Sequence, residues 1–164
     1  MIRIGHAWDT HRLVPGRKLI LGGVEINSPV GLLGHSDADV CLHALSEALL
    51  GSLALGDLGE HFSDKDPLNK DKDSKEILKY CYDLVIKKGY RLSNVDITIY
   101  SESIKISPIR EKIRENIAKM LSTNIDNVSV KATTWEKMGF IGRDEAIACE
   151  AVCLVKYVEK KILL

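Results

Sequence analysis

Two aspartates and two histidines fall within nine residues of the stretch 34–51, GHSDADVCLHALSEALLG. The apolar residues of this stretch recur at helical spacing, and His43 lies among them, whereas His35 precedes them. Ser36 or Asp37 is predicted to be the N-cap of the helix, because both residue types favour that position. The stretch therefore predicts a polar loop that opens into a helix, with one histidine in each part.

Another polar pair, Asp9 and His11, lies in an alternating segment at residues 2–11 that predicts a strand. Because side chains along a strand alternate between its faces, both are expected on the same face. Together with His43 they offer one carboxylate and two imidazoles, a ligand set suited to zinc or another borderline divalent ion. We expect Asp39, one helical turn before His43, to orient its imidazole. The alternative is that these residues are ordinary capping and surface groups.

The segment 131–145, KATTWEKMGFIGRDE, is a further candidate site. Thr133 and Thr134 end a predicted strand, and their hydroxyl groups suit phosphate oxygens. Glu136 supplies the kind of hard oxygen ligand that Mg²⁺ takes alongside phosphates. The alternative here is an ordinary turn capped by threonines.

Glu150 is a carboxylate inside the apolar last strand, which is predicted at residues 147–157. An unpaired carboxylate in such a strand would be costly, so Glu150 needs a cationic or hydrogen-bonding partner. We predict that Arg143, at the end of the candidate phosphate segment, is this partner.

Length and composition indicate a single domain, residues 1–164, that is long enough to bury a proper core. Basic and acidic residues number 23 each, so the net charge of zero gives no electrostatic case for nucleic-acid or membrane partners. The first residues look like a strand rather than a leader peptide, and a location in a bacterial cytoplasm is expected. The cysteines are expected to be buried and reduced rather than paired or metal-binding: Cys41, Cys81, Cys149 and Cys153.

Periodicity and turn residues predict an α+β fold in which helices pack on one face of a mixed sheet. The last strand has apolar residues at both odd and even positions, which predicts a central strand covered on both faces. A loop is predicted at residues 27–34 and a mobile surface loop at 57–73. The other predicted elements are a hairpin at 18–26, strands at 95–100 and 128–134, a helix at 74–88 and a helix that begins at Ser107 and Pro108.

Four motifs, in this order, resemble one enzyme family over residues 3–155. GHAWDTHR, GLLGHSDADVCLHALSEALLG, ALGDLGEHFSDKDP and NVSVKATTWEKMGFIGRDEAIACEAV resemble segments of 2-C-methyl-D-erythritol 2,4-cyclodiphosphate synthases. The resemblance implies a homotrimer of α+β subunits with active sites between neighbouring subunits. It also implies a phosphorus-oxygen lyase of the non-mevalonate isoprenoid pathway. The substrate would be 4-diphosphocytidyl-2-C-methyl-D-erythritol 2-phosphate, and the products would be the 2,4-cyclodiphosphate and CMP.

The same resemblance implies roles for individual residues. The implied metal ligands are Asp9, His11 and His43 for Zn²⁺, or another divalent ion, and Glu136 for Mg²⁺ or Mn²⁺ bound with the substrate diphosphate. Two residues, His35 and Thr134, are implied to be catalytic through hydrogen bonds where charge builds up. The implied substrate contacts are Asp9, His11, His35, Ser36, Asp57, Leu58, Gly59, Phe62, Asp64, Asp66, Lys105, Thr133, Thr134, Glu136, Phe140 and Arg143.

The chain departs from the usual pattern of the family at Trp8, Glu47, Ile104 and Trp135. The family usually has Phe or Tyr at the first position, Asp at the second, Pro at the third and a smaller residue at the fourth. No proposed metal ligand or phosphate contact is lost, so we expect an active enzyme. Two alternatives stay open: a metal-dependent phosphohydrolase that uses zinc-bound water, and a non-catalytic trimeric scaffold that binds isoprenoid diphosphates or a partner enzyme.

Overall fold

The computed structural model describes residues 1–63 and 65–158 of the chain. Its strands and helices, in chain order, are β1 (Ile2–Pro15), β2 (Leu19–Leu21), β3 (Val24–Ile26), β4 (Val30–Leu33), α1 (Val40–Ser52), α2 (Leu58–His61), α3 (Ser74–Lys87), β5 (Tyr90–Tyr100), α4 (Arg110–Met120), β6 (Val128–Thr133), α5 (Gly139–Gly142) and β7 (Ala146–Tyr157). Within the described ranges, none of the helices combines the length and the apolar character that spanning a membrane requires.

The main sheet has five strands in the order β4-β1-β7-β5-β6. Neighbouring strands are antiparallel except β5 and β6, which are parallel, so the sheet is mixed. β2 and β3 form a separate hairpin whose turn residues, Gly22 and Gly23, have φ angles of 59° and 75°. Two consecutive positive φ angles suit a type I′ turn, which glycine adopts without steric cost. The predicted α+β fold and the predicted hairpin are confirmed.

The long helices α1, α3 and α4 pack on one face of the sheet and form the main core with it. α1 lies over β1 and β7, and its Leu42, Leu45 and Leu49 are buried there. The four cysteines are buried and free, as predicted. The short helix α5 departs from the prediction of helices on one face. Its Ile141 clusters with Ala148, which points to the opposite face of β7.

The second face of the sheet is open along much of β1. Alternation along the strand places Ile2, Ile4 and Trp8 on this face, where they are exposed by 69%, 66% and 44%. β7 is central in the sheet, as predicted, and within the single chain only part of its second face is covered. Glu150 and Val152 of β7 are partly exposed. A row of exposed apolar side chains marks a surface that another protein chain can cover.

Glu150 lies on this open face and is paired with residues of the neighbouring strands. The hydroxyl of Tyr100 on β5 donates to its Oε2 at 2.6 Å, and its Oε1 is 2.8 Å from Nε2 of His6 on β1. The Tyr100 bond, followed by the His6 contact, holds the pKa of Glu150 below its usual value. The same bond raises the pKa of Tyr100 to about 12. The predicted partner Arg143 is wrong, because Arg143 instead pairs with Glu145 at 2.6 Å.

The two predicted loops, 27–34 and 57–73, contain regular structure. Val30–Leu33 form β4 because they pair with the last residues of β1. The second loop contains α2 and a 3₁₀ turn at Pro67–Asn69, neither of which has a fully buried residue. Short elements of this kind are set by their neighbours in the fold, and periodicity in the sequence does not report them.

The starts of α3 and α4 were not equally predictable. α3 begins where the sequence predicts, since Asp73 is its N-cap and accepts from a backbone N–H of the first turn at 2.8 Å. The predicted start of the next helix is wrong. α4 begins at Arg110 with Ile109 as its N-cap and no side-chain cap, so Ser107 and Pro108 precede the helix.

Gly5 allows α1 to lie directly on β1. A Cβ atom at this position would be 1.8 Å from the carbonyl oxygen of Ala48 and 3.0 Å from the Cβ of Ser52. Because the obstacle is helix backbone, Gly5→Ala should push α1 away from β1 and lower the free energy of unfolding by about 2–3 kcal/mol. Urea unfolding of the purified variant measures this loss.

Gly51→Ala is the matched control for the added methyl group. Gly51 lies in α1, and a Cβ atom built there has no neighbour within 4 Å. Alanine is more favourable than glycine in a helix by up to about 1 kcal/mol, so this variant should be slightly more stable. Unchanged stability of Gly5→Ala would contradict the close packing of α1 on β1.

Candidate active site

Asp9 and His11 on β1 meet His43 on α1 at the edge of the core. The Nε2 atom of His11 lies 3.1 Å from Oδ2 of Asp9 and 3.1 Å from Nδ1 of His43. The Nδ1 atom of His43 is 3.4 Å from the same carboxylate oxygen. Within the described residues, these three side chains form a group that could hold a metal ion. The structure therefore brings together the strand pair and the helical histidine that the sequence singled out.

Asp9, His11 and His43 are called the metal trio below, and their facing atoms have the spacing of metal ligands. Nδ1 of His11 lies 3.1 Å from the carbonyl oxygen of Leu33, which can only accept, so Nδ1 carries the proton and Nε2 is free to bind metal. Atoms arranged tetrahedrally around zinc at about 2.0–2.1 Å are about 3.3 Å apart. The observed separations of 3.1, 3.1 and 3.4 Å match this value. The residues present therefore fit a zinc ion or a similar divalent ion.

The electrostatics of the trio favour a cation at the same point. Burial raises the pKa of Asp9, but the hydrogen bonds and charges of His11 and His43 outweigh burial and hold this pKa well below its usual value. Burial lowers the pKa of His11, and the Asp9 carboxylate and the Leu33 carbonyl more than offset this and raise it. The fold thus keeps Asp9 ionised, which is the state that a bound divalent cation requires.

Asp39 holds the start of α1 in place. Its buried carboxylate is the N-cap and accepts from two N–H groups of the first helical turn, both at 3.1 Å. It also accepts from the N–H groups of Gly22 at 2.9 Å and Gly23 at 2.6 Å in the hairpin turn. Burial raises the pKa of Asp39 to about 6, although these N–H groups lower it. The predicted contact of Asp39 with His43 is wrong, because all of its hydrogen bonds in the structure go to the backbone.

The loop before α1 is closed by its own side chains. Ser36 and Asp37, the predicted N-caps, instead accept from the backbone N–H groups of Ala38 at 3.1 Å and Asp39 at 3.2 Å. Ala38 has a φ angle of 59°, so the chain turns once more before the helix begins. Arg17 holds the loop from outside, since its guanidinium donates to the carbonyl oxygen of Ser36 at 2.8 Å. The predicted N-caps are therefore wrong, and both residues shape the loop.

A cavity of about 380 Å³ opens beside the metal trio. This volume is in the range of small-molecule sites. Residues predicted for the site that line the cavity are His11, His35, Ser36, His43, Leu58, Gly59 and Phe62. Part of the cavity wall comes from the segment 57–73, which connects α1 to α3 in the chain and contributes Leu58, Gly59, Phe62 and Asn69 to the lining.

The segment 57–73 is fastened to both helices. Glu47 on α1 accepts from the backbone N–H of Leu58 at 2.8 Å, so the longer carboxylate at this position reaches the segment. Phe62 packs edge-on against Tyr80 of α3, with ring centroids 5.1 Å apart. Asp57 caps α2 at the start of the same segment. These contacts keep the wall of the cavity in place in the free protein.

The candidate phosphate residues of the segment 131–145, namely Thr133, Thr134 and Glu136, lie away from this cavity. Thr133 ends β6, and Thr134 and Glu136 follow it, whereas Asp9 is on β1. Three strand spacings of about 4.8 Å separate β1 from β6, which puts the two groups roughly 14 Å apart across the sheet. The cavity beside His43 is lined by none of the three. Within a single chain, the metal trio and the candidate phosphate residues are therefore apart.

Comparison with known proteins agrees with the site. The model of the YgbB family matches residues 2–156. The 2-C-methyl-D-erythritol 2,4-cyclodiphosphate synthase of Shouchella clausii is 52% identical over 159 residues, which are 97% of this chain and 100% of the relative. The chain belongs to this family. The sequence prediction of a cyclodiphosphate synthase is confirmed.

Solved structures of this synthase family share the fold. The bifunctional IspDF of Campylobacter jejuni has a TM-score of 0.93 and 40% identity, and the match covers 97% of this chain and 43% of that longer chain. IspF of Plasmodium falciparum in a CDP complex has a TM-score of 0.86 and 37% identity, over 96% of this chain and 97% of that chain. The likeness therefore extends over nearly the whole chain.

Other predicted substrate contacts of the synthase lie outside the cavity. Lys105 is exposed after β5, while Ile104 beside it packs against the core in place of the usual proline. Phe140 packs edge-on against Trp135, with ring centroids 5.5 Å apart, and Arg143 is exposed. Trp135 thus packs against Phe140, one of the predicted substrate contacts.

The remaining predicted contacts are aspartates of the segment 57–73. Asp66 is the N-cap of the 3₁₀ turn, where its carboxylate accepts a backbone N–H. Asp57 has the same role in α2 and accepts from the N–H of Glu60 at 2.9 Å. Asp64 lies outside the described residues.

Several residues of the site are not predicted as such by the sequence. Asn69 and Ile77 line the cavity, yet Ile77 reads as part of the apolar stripe of α3. Ser74 lies 2.9 Å from Nε2 of His43 and also contacts Asp37. Ser74 follows an ordinary N-cap, so neither its type nor its position marks it for function.

Proposed function

We propose that the chain converts 4-diphosphocytidyl-2-C-methyl-D-erythritol 2-phosphate into 2-C-methyl-D-erythritol 2,4-cyclodiphosphate and CMP, at sites completed between the subunits of a homotrimer. The observation that carries the proposal is the meeting of Asp9, His11 and His43 beside a cavity in a chain of the synthase family. The enzyme is then a phosphorus-oxygen lyase of the non-mevalonate isoprenoid pathway. The unit that acts is one domain, residues 1–164, and a bacterial cytoplasmic location stays a prediction.

Two divalent ions belong to the proposal. Asp9, His11 and His43 would hold Zn²⁺, for which their separations are suited. Glu136 would hold Mg²⁺ or Mn²⁺ together with the diphosphate of the substrate. When bound, these ions neutralise phosphate charge and act as Lewis acids on the phosphoryl oxygens.

The cyclisation joins two groups of one substrate molecule. An oxygen of the 2-phosphate attacks the β-phosphorus and forms a new P–O bond. The bond between the β-phosphorus and the bridging oxygen breaks, and CMP leaves with that oxygen and the electron pair. The attacking phosphate is already ionised at neutral pH, so the reaction requires no protein nucleophile or strong base. The protein must place the two phosphates in line and donate hydrogen bonds where charge builds up.

His35, Ser36 and Thr134 are the proposed donors to the phosphate groups. His35 and Ser36 line the cavity beside the metal trio, so a phosphate in the cavity would lie within reach of both. The other proposed contacts are, for the methylerythritol portion, Asp57, Leu58, Gly59, Phe62, Asp64 and Asp66. Lys105 and Thr133 are proposed to lie near the cytidine diphosphate, and Phe140 and Arg143 to contact the substrate and the cavity along the trimer axis.

The distance between the metal trio and the candidate phosphate residues supports a trimer with shared sites. Glu136 lies roughly 14 Å across the sheet from Asp9 of the same chain, too far for one diphosphate to contact the ligands of both ions closely. The open face of the sheet exposes Ile2, Ile4 and Trp8, which offer apolar area for contact between copies. In a closed ring, Glu136 of each copy can face the metal trio of its neighbour.

Product analysis tests the activity. Purified protein supplied with Zn²⁺ and Mg²⁺ should convert the substrate to the cyclic diphosphate and CMP in equal amounts, as followed by ³¹P NMR. Release of inorganic phosphate would indicate a phosphohydrolase, and binding without turnover would indicate a scaffold. Either result would overturn the proposal.

Subunit mixing tests the shared site. His43→Ala and Glu136→Gln chains, each inactive alone, should regain activity when they are unfolded together and refolded. A neighbour with intact His43 and a neighbour with intact Glu136 then rebuild a complete site. When equal amounts of the two chains form random trimers, about a quarter of the interfaces pair the intact metal trio of one chain with the intact Glu136 of its neighbour. We therefore expect about a quarter of the wild-type rate.

A second mixture controls for recovery by other routes. His43→Ala and His11→Ala damage the same half of the site, so their mixture should stay inactive. Recovery in this control would mean that the trio itself is assembled from different chains. A lack of recovery in the first mixture would show that each site is built from one chain.

A further inference from the structure

The ring of His43 contacts two serine hydroxyls on the side opposite to Asp9 and His11. Its Nε2 atom lies 2.9 Å from Oγ of Ser74 and 3.1 Å from Oγ of Ser36. The position of the ring proton decides whether Nδ1 presents a lone pair or an N–H group to Asp9 and His11. A neutral histidine binds metal through Nδ1 only when its proton is on Nε2.

Asp37 fixes the direction of the Ser74 hydroxyl. The Oδ1 atom of Asp37 accepts the hydroxyl proton of Ser74, and Oδ2 accepts the backbone N–H of Ser74 at 3.1 Å. A carboxylate can only accept, and a serine hydroxyl has a single proton to donate. Once this proton is bound to Asp37, the oxygen of Ser74 can only accept from His43. The ring proton of His43 must then be on Nε2.

Ser36, in contrast, does not determine which nitrogen of His43 carries the ring proton. Its Oγ atom accepts the backbone N–H of Ala38 at 3.1 Å, and its own proton can turn either to Nε2 of His43 or to the cavity that Ser36 lines. Because this hydroxyl can donate or accept, it is compatible with both tautomers of His43. It is also available to a phosphate oxygen of a ligand.

We propose that Ser74, oriented by Asp37, is the positioning residue that fixes His43 in the Nε2–H tautomer and leaves Ser36 free for the substrate. The proposal concerns the metal site of the proposed function and rests on it for its effect on zinc. Ser74 is fully buried at the start of α3, so the pair joins this helix to the ligand on α1. Without its hydroxyl, His43 can place the proton on Nδ1, where the proton competes with a metal ion.

Ser74→Ala tests the proposal with two measurements. Long-range ¹H–¹⁵N NMR of metal-free protein with labelled histidine reports the tautomer of each ring, at about two pH units above the usual imidazole pKa. The wild type should show His43 protonated at Nε2, and Ser74→Ala should show a mixture of tautomers. Competition with a chelator measures zinc affinity, which should fall about 10–100-fold in Ser74→Ala.

Two variants serve as controls. Ser52→Ala removes another buried serine hydroxyl, which donates to the carbonyl oxygen of Leu49 at 2.7 Å, and it should leave the tautomer and the zinc affinity unchanged. Ser36→Ala should keep the proton of His43 on Nε2 and lose less than about threefold in zinc affinity, well short of the loss in Ser74→Ala.

The outcomes separate this proposal from the metal site itself. Wild-type zinc affinity or an unchanged tautomer in Ser74→Ala would overturn the role of Ser74, as would an equal loss in Ser36→Ala. A wild-type protein that binds no zinc but keeps His43 protonated at Nε2 would overturn the metal site of the proposed function and still support the tautomer assignment.

Discussion

His43→Ala should abolish zinc binding and lower turnover at least about 1,000-fold, the effect of losing several kcal/mol of metal-assisted stabilisation. The substitution removes the ligand on α1 and leaves Asp9 and His11 on β1 as an incomplete pair. The fold should persist, because the core contacts of α1 are made by its leucines and alanines. Metal content by mass spectrometry after dialysis, together with turnover and circular dichroism, measures these effects.

His61→Ala is the matched control for the loss of an imidazole. Nε2 of His61 lies 2.8 Å from the carbonyl oxygen of Leu55, and Nδ1 lies 3.3 Å from the hydroxyl of Tyr80, so the ring holds the segment 57–73 and not a metal ligand. This variant should keep the zinc content of the wild type. Stoichiometric zinc in His43→Ala would remove His43 from the ligand set.

The parts of the fold and site that local patterns determine could be predicted from the sequence. Asp9 and His11 share a face because the period of a strand is two, and this follows from their spacing alone. Gly22 and Gly23 predict a hairpin because its turn requires positive φ angles, which the structure has. His43 could be placed on a helix by the apolar spacing around it, but its distance from Asp9 could not be derived from that spacing.

Partners across the sheet could not be predicted in the same way. Glu150 needs a partner, and the sequence offers the nearby Arg143. The order of the strands instead places β1 and β5 on either side of β7. His6, 144 positions away, and Tyr100, 50 positions away, therefore reach Glu150. Strand order follows from packing of the whole chain, which no local pattern reports.

The start of α1 shows a second limit of local patterns. Ser36, Asp37 and Asp39 are all residue types that favour the N-cap, so the sequence does not choose among them. The structure chooses Asp39 because its carboxylate also lies against the N–H groups of the β2–β3 turn. Ser36 and Asp37 are left to close the loop, and Asp37 thereby reaches Ser74.

Asp39→Ala should lower the free energy of unfolding by about 4 kcal/mol or more, which is exceptional for a single substitution. The side chain is fully buried and accepts four backbone N–H groups, two from the hairpin turn and two from the first turn of α1. Alanine leaves these donors without a partner, and each unsatisfied buried donor costs about 1–3 kcal/mol before relaxation. Urea unfolding at pH 7 measures the loss.

Asp73→Ala is the matched control, because Asp73 is the N-cap of α3 but is exposed and accepts a single N–H at 2.8 Å. Water can replace its carboxylate, so the loss should be about 1 kcal/mol. Equal losses in the two variants would mean that Asp39 acts as a helix cap alone. A larger loss for Asp39→Ala, accompanied by weaker zinc binding, would show that the anchor of α1 on the hairpin also holds His43 in place.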